Sequence, residues 1–136
     1  MKRVRVIIGR VKTGKYPYSV LMDAPDVPFG LNGTGSSVEA AKNDFLEAYA
    51  EIRELMEGQG EKFDELEFEY LYDIPSFLEY YAYALSLAGL ERITGINQRQ
   101  LSHYINGTAI PRRKTIDRFQ RRLHSFADDL CAVKFV

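Results

Sequence analysis

The spacing of the apolar residues changes at Asp73, and this change constrains the fold more than any other feature of the sequence. Before it, residues 4–8 and 68–72 alternate between the two sides of an extended chain, as β-strands do. After it, apolar residues recur at intervals of three and four, which is typical of amphipathic helices. In a chain of 136 residues this predicts two small domains, residues 1–73 with a sheet and residues 74–136 built from helices.

The first domain is predicted to begin with a β-hairpin. Residues 3–8 supply one strand, residues 12–15 (KTGK) a turn, and residues 16–22 (YPYSVLM) the partner strand. The segment that follows, residues 23–37, is rich in proline and glycine and is predicted to be irregular. Within it, GLNGTG lacks the Lys-Ser/Thr ending of a phosphate-binding loop, so we interpret it as a turn.

A single amphipathic helix is predicted to follow this hairpin. Ser36 and Glu39 have the spacing of a capping box, and helical periodicity continues to about Glu57. A helix packed on two strands makes a weak unit, and residues 68–72 provide a further strand. We therefore predict an α+β fold: a small three- to four-stranded antiparallel sheet with one helix, followed by an all-helical domain.

The second domain is predicted to contain helices that end at suitable glycines. The predicted segments are residues 76–89, residues 90–94 before Gly95, residues 97–106 before Gly107, and a long closing helix over residues 114–130. The last residues, 130–136 (LCAVKFV), are predicted to form a short strand or a docking tail.

Charge is segregated along the chain, although the net charge is only −1. Residues 1–15 contain six basic residues and no acid, and residues 39–79 contain thirteen acids and three basic residues. Residues 92–122 contain eight basic residues against the single acid Asp117. Such segregation indicates surfaces that face different partners, and solvated helix faces are the alternative for the acidic region.

The helix predicted over residues 97–106 has one apolar and one hydrogen-bonding face. At about 100° per residue, the apolar residues Leu101, Tyr104 and Ile105 cluster on one side. Glutamine pairs bidentately with adenine, arginine with guanine, and serine with either base. The opposite face is therefore predicted to read bases of double-stranded DNA through Gln98, Arg99, Ser102 and His103.

Basic residues directly downstream are predicted to contact DNA phosphates: Arg112, Arg113 and Lys114. A short helix, a tight turn at Gly95 and the polar helix together form a helix-turn-helix. The alternative is an ordinary amphipathic helix within a helical bundle. We favour DNA binding because the Gly95 turn, a capping Asn97 and the basic cluster occur together.

This segment, TGINQRQLSHYINGTAIP, resembles the lambda-repressor-like helix-turn-helix. The positions that match that family's pattern are Gly95, Ile96, Asn97, Gln98, Leu101, Ser102, Gly107 and Pro111. The resemblance implies that Gln98 and Arg99 lead base readout, with Ser102 and His103 nearby, and that Asn106 touches a phosphate. Glu91 departs from the pattern, which usually has a small residue at that position of the first helix.

The N-terminal half resembles the HicB antitoxin family. The resemblance rests on the order hairpin, proline-bearing loop, GSSVEAA at residues 35–41, helix and strand. It implies a partial ribonuclease-H-like domain that neutralises a small, RNA-cleaving, HicA-like toxin, followed by a domain that represses its own operon at operator DNA. A basic toxin would suit the acidic residues 39–79. We expect a homodimer or higher homo-oligomer, because paired half-sites match a two-fold protein.

Two other classes of function stay open at this point. One is a stand-alone transcriptional regulator whose N-terminal domain senses a ligand or another protein. The other is a nuclease with Asp23, Asp26 and Asp44 as metal-binding carboxylates, which we disfavour because their sequence context suits turns and a helix surface.

Several absences in the sequence also shape the prediction. His103, His124 and Cys131 lack metal-ligand spacing, so we expect neither a metal, nor another cofactor, nor enzymatic activity. No apolar run reaches the roughly 18 residues of a membrane helix, and a single cysteine agrees with a reducing compartment. We therefore expect a cytoplasmic protein without membrane association.

Overall fold

A computed structural model of the protein covers all 136 residues and has an α+β fold, which confirms the predicted class. Contacts divide the chain into two compact units, Met1–Asp73 and Ile74–Val136. The elements, in chain order, are β1 (Lys2–Arg10), β2 (Tyr18–Asp23), β3 (Asn32–Gly35), α1 (Val38–Gly58), β4 (Leu66–Tyr72), α2 (Ile74–Tyr80), a 3-10 turn (Tyr81–Tyr83), α3 (Leu87–Thr94), α4 (Gln98–Asn106) and α5 (Arg113–Ala132).

The four strands form one mixed sheet in the order β3-β2-β1-β4. β1 pairs antiparallel with β2, and β2 antiparallel with β3, but β1 and β4 are parallel, with Lys2 opposite Leu66 and Ile8 opposite Tyr72. The predicted purely antiparallel sheet is therefore wrong. Parallel strands need a long crossover connection, and here β2, β3 and α1 lie between the two parallel strands in the chain.

One face of the sheet packs against α1 and forms the core of the first unit. Alternation along β1 buries Val4, Val6 and Ile8 completely or nearly so, and Phe45 of α1 contacts the ring of Phe68 edge-on, with centroids 4.9 Å apart. The opposite face carries cross-strand ion pairs from β1, Arg3 with Glu67 and Arg5 with Asp23.

The strand β3 takes up only four residues of the segment that was predicted to be irregular, and residues 24–31 and 36–37 of that segment have neither helix nor strand. The prediction of GLNGTG as a turn is wrong, because β3 runs through it. A Cβ atom on Gly33 would lie 2.4 Å from the carbonyl oxygen of Ala41, and one on Gly35 would lie 2.6 Å from the Ala41 nitrogen. The glycines thus let the strand approach the backbone of α1. β3 packs through its main chain and not through alternating apolar side chains. The alternation that usually indicates a strand is therefore missing from its sequence.

The helix α1 begins one residue later than the predicted capping box. Ser37, not Ser36, is the N-cap, and its hydroxyl accepts a hydrogen bond from the Ala40 N–H at 3.0 Å. Glu39 therefore occupies the second helical position rather than the third, and the reciprocal bond of a capping box is not formed.

The second unit packs five helical segments around one apolar core. The helix predicted over residues 76–89 is instead interrupted, because Ser86 caps a new helix by accepting from the Gly89 N–H at 3.0 Å. The buried apolar residues are Ile74, Leu78, Leu90, Ile96, Leu101, Tyr104 and Phe119.

The closing helix α5 runs to Ala132, and Val133–Val136 form no strand, so the strand alternative for the tail is wrong. None of the helices combines the length and the hydropathy that crossing a bilayer requires.

Candidate nucleic-acid interface

A three-residue turn, residues 95–97, joins α3 to α4 and is held by hydrogen bonds to residues at the end of α3. Gly95 adopts a left-handed conformation with φ of 75°, and its N–H donates to the Glu91 carbonyl at 2.8 Å. The buried hydroxyl of Thr94 donates to the Leu90 carbonyl at 2.7 Å and accepts from the Ile96 N–H at 3.2 Å. Buried polar groups are thus satisfied within the turn, which fixes the start of α4.

The α5 helix supports this turn from outside. Arg118 donates from Nη2 to the Gly95 carbonyl at 3.1 Å, and a Cβ on Gly95 would lie 2.4 Å from that same nitrogen. The positive φ favours glycine at position 95, whereas a Cβ there would meet only the flexible ends of arginine side chains, which can shift. The guanidinium of Arg118, one of the eight basic residues between residues 92 and 122, thus holds the turn.

Two side chains cap the N-terminus of α4. The Asn97 side-chain oxygen accepts from the Gln100 N–H at 2.8 Å, and the Glu91 carboxylate accepts from the Gln98 N–H at 2.9 Å. Helix N-termini otherwise leave such donors unsatisfied. These two amides therefore already have hydrogen-bond partners within the protein.

The C-terminus of α4 ends in a Schellman motif centred on Gly107, whose φ is 76°. The Gly107 N–H donates to the Tyr104 carbonyl at 3.3 Å, and the Thr108 N–H donates to the His103 carbonyl at 3.0 Å. Both ends of α4 are therefore fixed by specific caps.

The two faces of α4 differ sharply in exposure. Leu101 is completely buried and Tyr104 is 4% exposed, while Ile105 is half-buried against the same core. The four residues predicted to read bases lie together on the opposite face. Gln98, Arg99 and His103 are exposed there, and Ser102 is half-buried.

The residues predicted to contact phosphates are all exposed and differ in their partners. Asn106 lies at the last position of α4, and Arg112 and Lys114 lie at the start of α5 without an acidic partner within 4.0 Å. Arg113 instead binds Asp117 through Nη2 at 2.8 Å and Nε at 3.0 Å. That exposed pair contributes little to stability, but a phosphate would have to compete with the carboxylate for Arg113.

The arrangement offers hydrogen bonding and positive charge but no cluster of metal ligands. No group of three or more His, Cys, Asp or Glu side chains is positioned to hold a metal ion. The carboxylates considered for a nuclease have other partners: Asp23 pairs with Arg5, Asp26 with Lys2, and Asp44 accepts from the Thr34 N–H at 2.9 Å.

Sequence reasoning missed two residues that shape this surface, Glu91 and Thr108. Glu91 was noted only as a departure from a family pattern, whereas its carboxylate caps α4. Thr108 lies 2.7 Å from the imidazole of His103, measured from its Oγ1 to Nδ1. The only feature of the sequence that could have indicated the contact between Thr108 and His103 is a threonine directly after the C-capping Gly107.

Comparison with protein-family models, curated proteins and solved structures gives no match to this chain.

Proposed function

We propose that the protein is a DNA-binding transcriptional repressor of the HicB-like antitoxin type. In this proposal α3 and α4 form a helix-turn-helix that binds operator DNA. The observation that carries it is the division of α4: Leu101 and Tyr104 anchor one face in the core, while Gln98, Arg99 and His103 are exposed on the other.

The dimensions of α4 support insertion into a major groove. An α-helix with its side chains is about 10–12 Å across, and the major groove of B-form DNA, about 12 Å wide, admits it. Gln98 and Arg99, in the first turn, would contact base edges, with Ser102 and His103 one turn further along. Asn106, Arg112 and Lys114 would contact the phosphates and set the orientation of the helix.

The acidic surface of the first unit supports a basic protein partner. The solvent-facing side of α1 carries Glu47, Glu51 and Glu54, and the apolar residues Leu46 and Leu55 are 43% and 58% exposed among them. Acidic groups with interspersed apolar contacts suit a basic partner, and a small RNA-cleaving toxin is such a protein.

The end of α5 and the residues that follow it support self-association. Leu130 and Val133 are 55% and 52% exposed, and Phe135 is more exposed still. A second copy packed on these residues would bury them, and a two-fold dimer is what paired half-sites about 34 Å apart require.

A regulator that senses a small ligand is less well supported. The first unit has two clefts of about 570 Å³ and 400 Å³, but both lie open to solvent. Its more enclosed cavity, lined by Phe29 and Phe63, has a volume of about 110 Å³, whereas typical ligand sites exceed roughly 300 Å³ and bury most of the ligand.

The experiment that tests the proposal is selection of binding sites from a random pool of duplex DNA with the full chain. We expect one enriched motif with two related half-sites. Equal retention of all sequences, or no retention at low salt, would contradict the proposal. Toxin neutralisation is tested separately, by measuring whether the full chain inhibits RNA cleavage by a small basic nuclease encoded beside it.

A further inference from the structure

The strand β4 forms one edge of the sheet, and its outer side pairs with no other strand. In the order β3-β2-β1-β4, its only neighbour is β1. The Lys2 N–H donates to the Glu65 carbonyl at 3.1 Å, and Lys2 lies opposite Leu66. In a strand pair, alternate residues direct their main-chain groups towards the neighbour. Glu65 and every second residue after it therefore face β1, whereas Phe68 and Tyr70 direct their N–H and C=O groups outwards.

Elsewhere at the edges of the sheet, side chains of α1 accept hydrogen bonds from main-chain N–H groups. The Leu66 N–H, at the start of β4, donates to the Tyr49 hydroxyl at 3.0 Å. At the other edge, the Thr34 N–H of β3 donates to the Asp44 carboxylate at 2.9 Å. The two outward-facing N–H groups in the middle of β4 have no such partner in the protein. Unpaired main-chain groups along an edge are a template for a further strand.

The strand β4 lacks most of the features that prevent edge strands from pairing. Such strands are commonly protected by proline, by lysine, by a bulge or by being very short. β4 has seven residues, LEFEYLY, without proline or lysine, and its register with β1 is continuous from Leu66 to Tyr72. The opposite edge strand, β3, has only four residues. The outer edge of β4 is therefore long enough for a partner strand, and its only charged residues are Glu67 and Glu69.

These two glutamates determine which kind of strand suits the edge. Both are exposed on the face of the sheet opposite α1. Glu67 pairs with Arg3 at 3.5 Å, but no cation of the protein lies within 4.0 Å of the Glu69 carboxylate. A strand places every second side chain on the same face. Basic residues at alternate positions of an added strand would therefore lie opposite the glutamates and form favourable cross-strand pairs.

A second copy of the chain suits this edge less well. The antiparallel register that pairs the whole of β4 with itself places Glu69, its central residue, opposite Glu69 of the other copy. Like charges directly opposite each other destabilise a strand pair. The charges on β4 therefore favour a basic segment over self-association.

We propose that the outer edge of β4 binds an extended segment of another protein that has basic side chains at alternate positions. This segment adds one strand to the four-stranded sheet. The main-chain groups of Phe68 and Tyr70 bind it, and Glu67 and Glu69 select its charge. The proposal goes beyond the proposed function, because it requires neither DNA binding nor nuclease activity in the partner.

The test uses the full chain and labelled synthetic peptides as long as β4, in which valine alternates with lysine or with glutamate. Binding is measured by fluorescence anisotropy, and the exchange of backbone amides is followed by NMR. We expect the lysine peptide to bind and to slow the exchange of the Phe68 and Tyr70 amides. The glutamate peptide should not bind. A lysine peptide with prolines in place of the valines should not bind either, because it keeps the charge but cannot form a β-ladder.

The matched variants are Glu69→Lys, at the edge, and Glu61→Lys, in the exposed loop before β4. Glu69→Lys should weaken binding of the lysine peptide about fivefold, because one cross-strand pair changes from attraction to repulsion. Glu61→Lys should leave the affinity unchanged, and thermal unfolding verifies that both variants are folded.

The proposal is overturned if the lysine peptide does not bind, if it binds no better than the proline peptide, or if it binds without slowing the exchange of the two amides. Equal affinities of the two variants would also overturn it, as would protection of these amides by self-association of the free chain. None of these results depends on α4, so selection of DNA sites tests the proposed function independently.

Discussion

Glu91 in α3 accepts a hydrogen bond at 2.9 Å from the backbone N–H of Gln98, the first residue of α4. One helix thereby caps the next across the turn at Gly95. A carboxylate at a helix N-terminus is also favoured by the helix dipole. The residue that departs from the lambda-repressor-like pattern thus contributes a specific link between the two helices.

Replacing Glu91 with alanine should lower the free energy of unfolding by about 1 kcal/mol, because a capping acceptor is lost. Urea denaturation followed by circular dichroism measures the change. Glu91→Gln keeps an acceptor without the charge and serves as the control, with an expected loss of about half that size. Equal stability of wild type and Glu91→Ala would mean that the cap does not contribute.

Gly33→Ala should destabilise the first unit by at least about 2 kcal/mol, because the new methyl group would overlap the backbone of α1. The matched control is Gly30→Ala, since nothing lies within 4 Å of a Cβ at that position. Both variants are compared by urea denaturation with a probe of the first unit. If the two variants unfold alike, β3 does not approach α1 as closely as described.

Gly33 and Gly35 show why some parts of the fold could be predicted from the sequence and others could not. The hairpin, the long helix α1 and the buried side of α4 could be predicted, because each depends on the local spacing of apolar residues. β3 has no such periodicity, because Gly33 and Gly35 serve a contact with α1, five or more residues further along the chain. The parallel pairing of β1 with β4 is likewise a long-range relation that no local pattern encodes.

The salt dependence of DNA binding should distinguish neighbouring arginines. Arg112→Ala should lower the slope of log affinity against log salt by about one, because one phosphate contact is lost. Arg113→Ala should lower it less, because Arg113 is already paired with Asp117. Titrations by fluorescence anisotropy at several salt concentrations measure both slopes.

Asp117→Asn supplies the control for that comparison. Releasing Arg113 from its carboxylate should tighten binding to all sequences and steepen the salt slope. An unchanged slope in Arg112→Ala would contradict a phosphate role for this residue, and an unchanged affinity in Asp117→Asn would show that Arg113 is not used.

Leu130→Glu should shift the protein towards monomer, because it places a charge on the apolar end of α5. Sedimentation equilibrium measures the assembly state, and Ser125→Glu adds the same charge at another exposed position of the helix as a control. A dimer that withstands Leu130→Glu would place the self-association surface elsewhere.

The surface of α4 was predictable to the extent that it depends on helical spacing. That spacing separates Leu101 and Tyr104 from Gln98, Arg99 and His103, and the exposures follow it. Contacts made by side chains from other elements were not predictable, because they depend on tertiary placement. Arg118 on the Gly95 carbonyl is such a contact.

The most direct test of DNA reading by α4 is binding-site selection with Arg99→Ala beside the wild type. The control Lys12→Ala removes one positive charge from the β1–β2 turn in the other unit of the chain. We expect Arg99→Ala to lose preference at one base position, at a cost of about 1–3 kcal/mol, while Lys12→Ala returns the wild-type motif. If Arg99→Ala returns the same motif with the same strength, α4 does not read DNA in the way proposed.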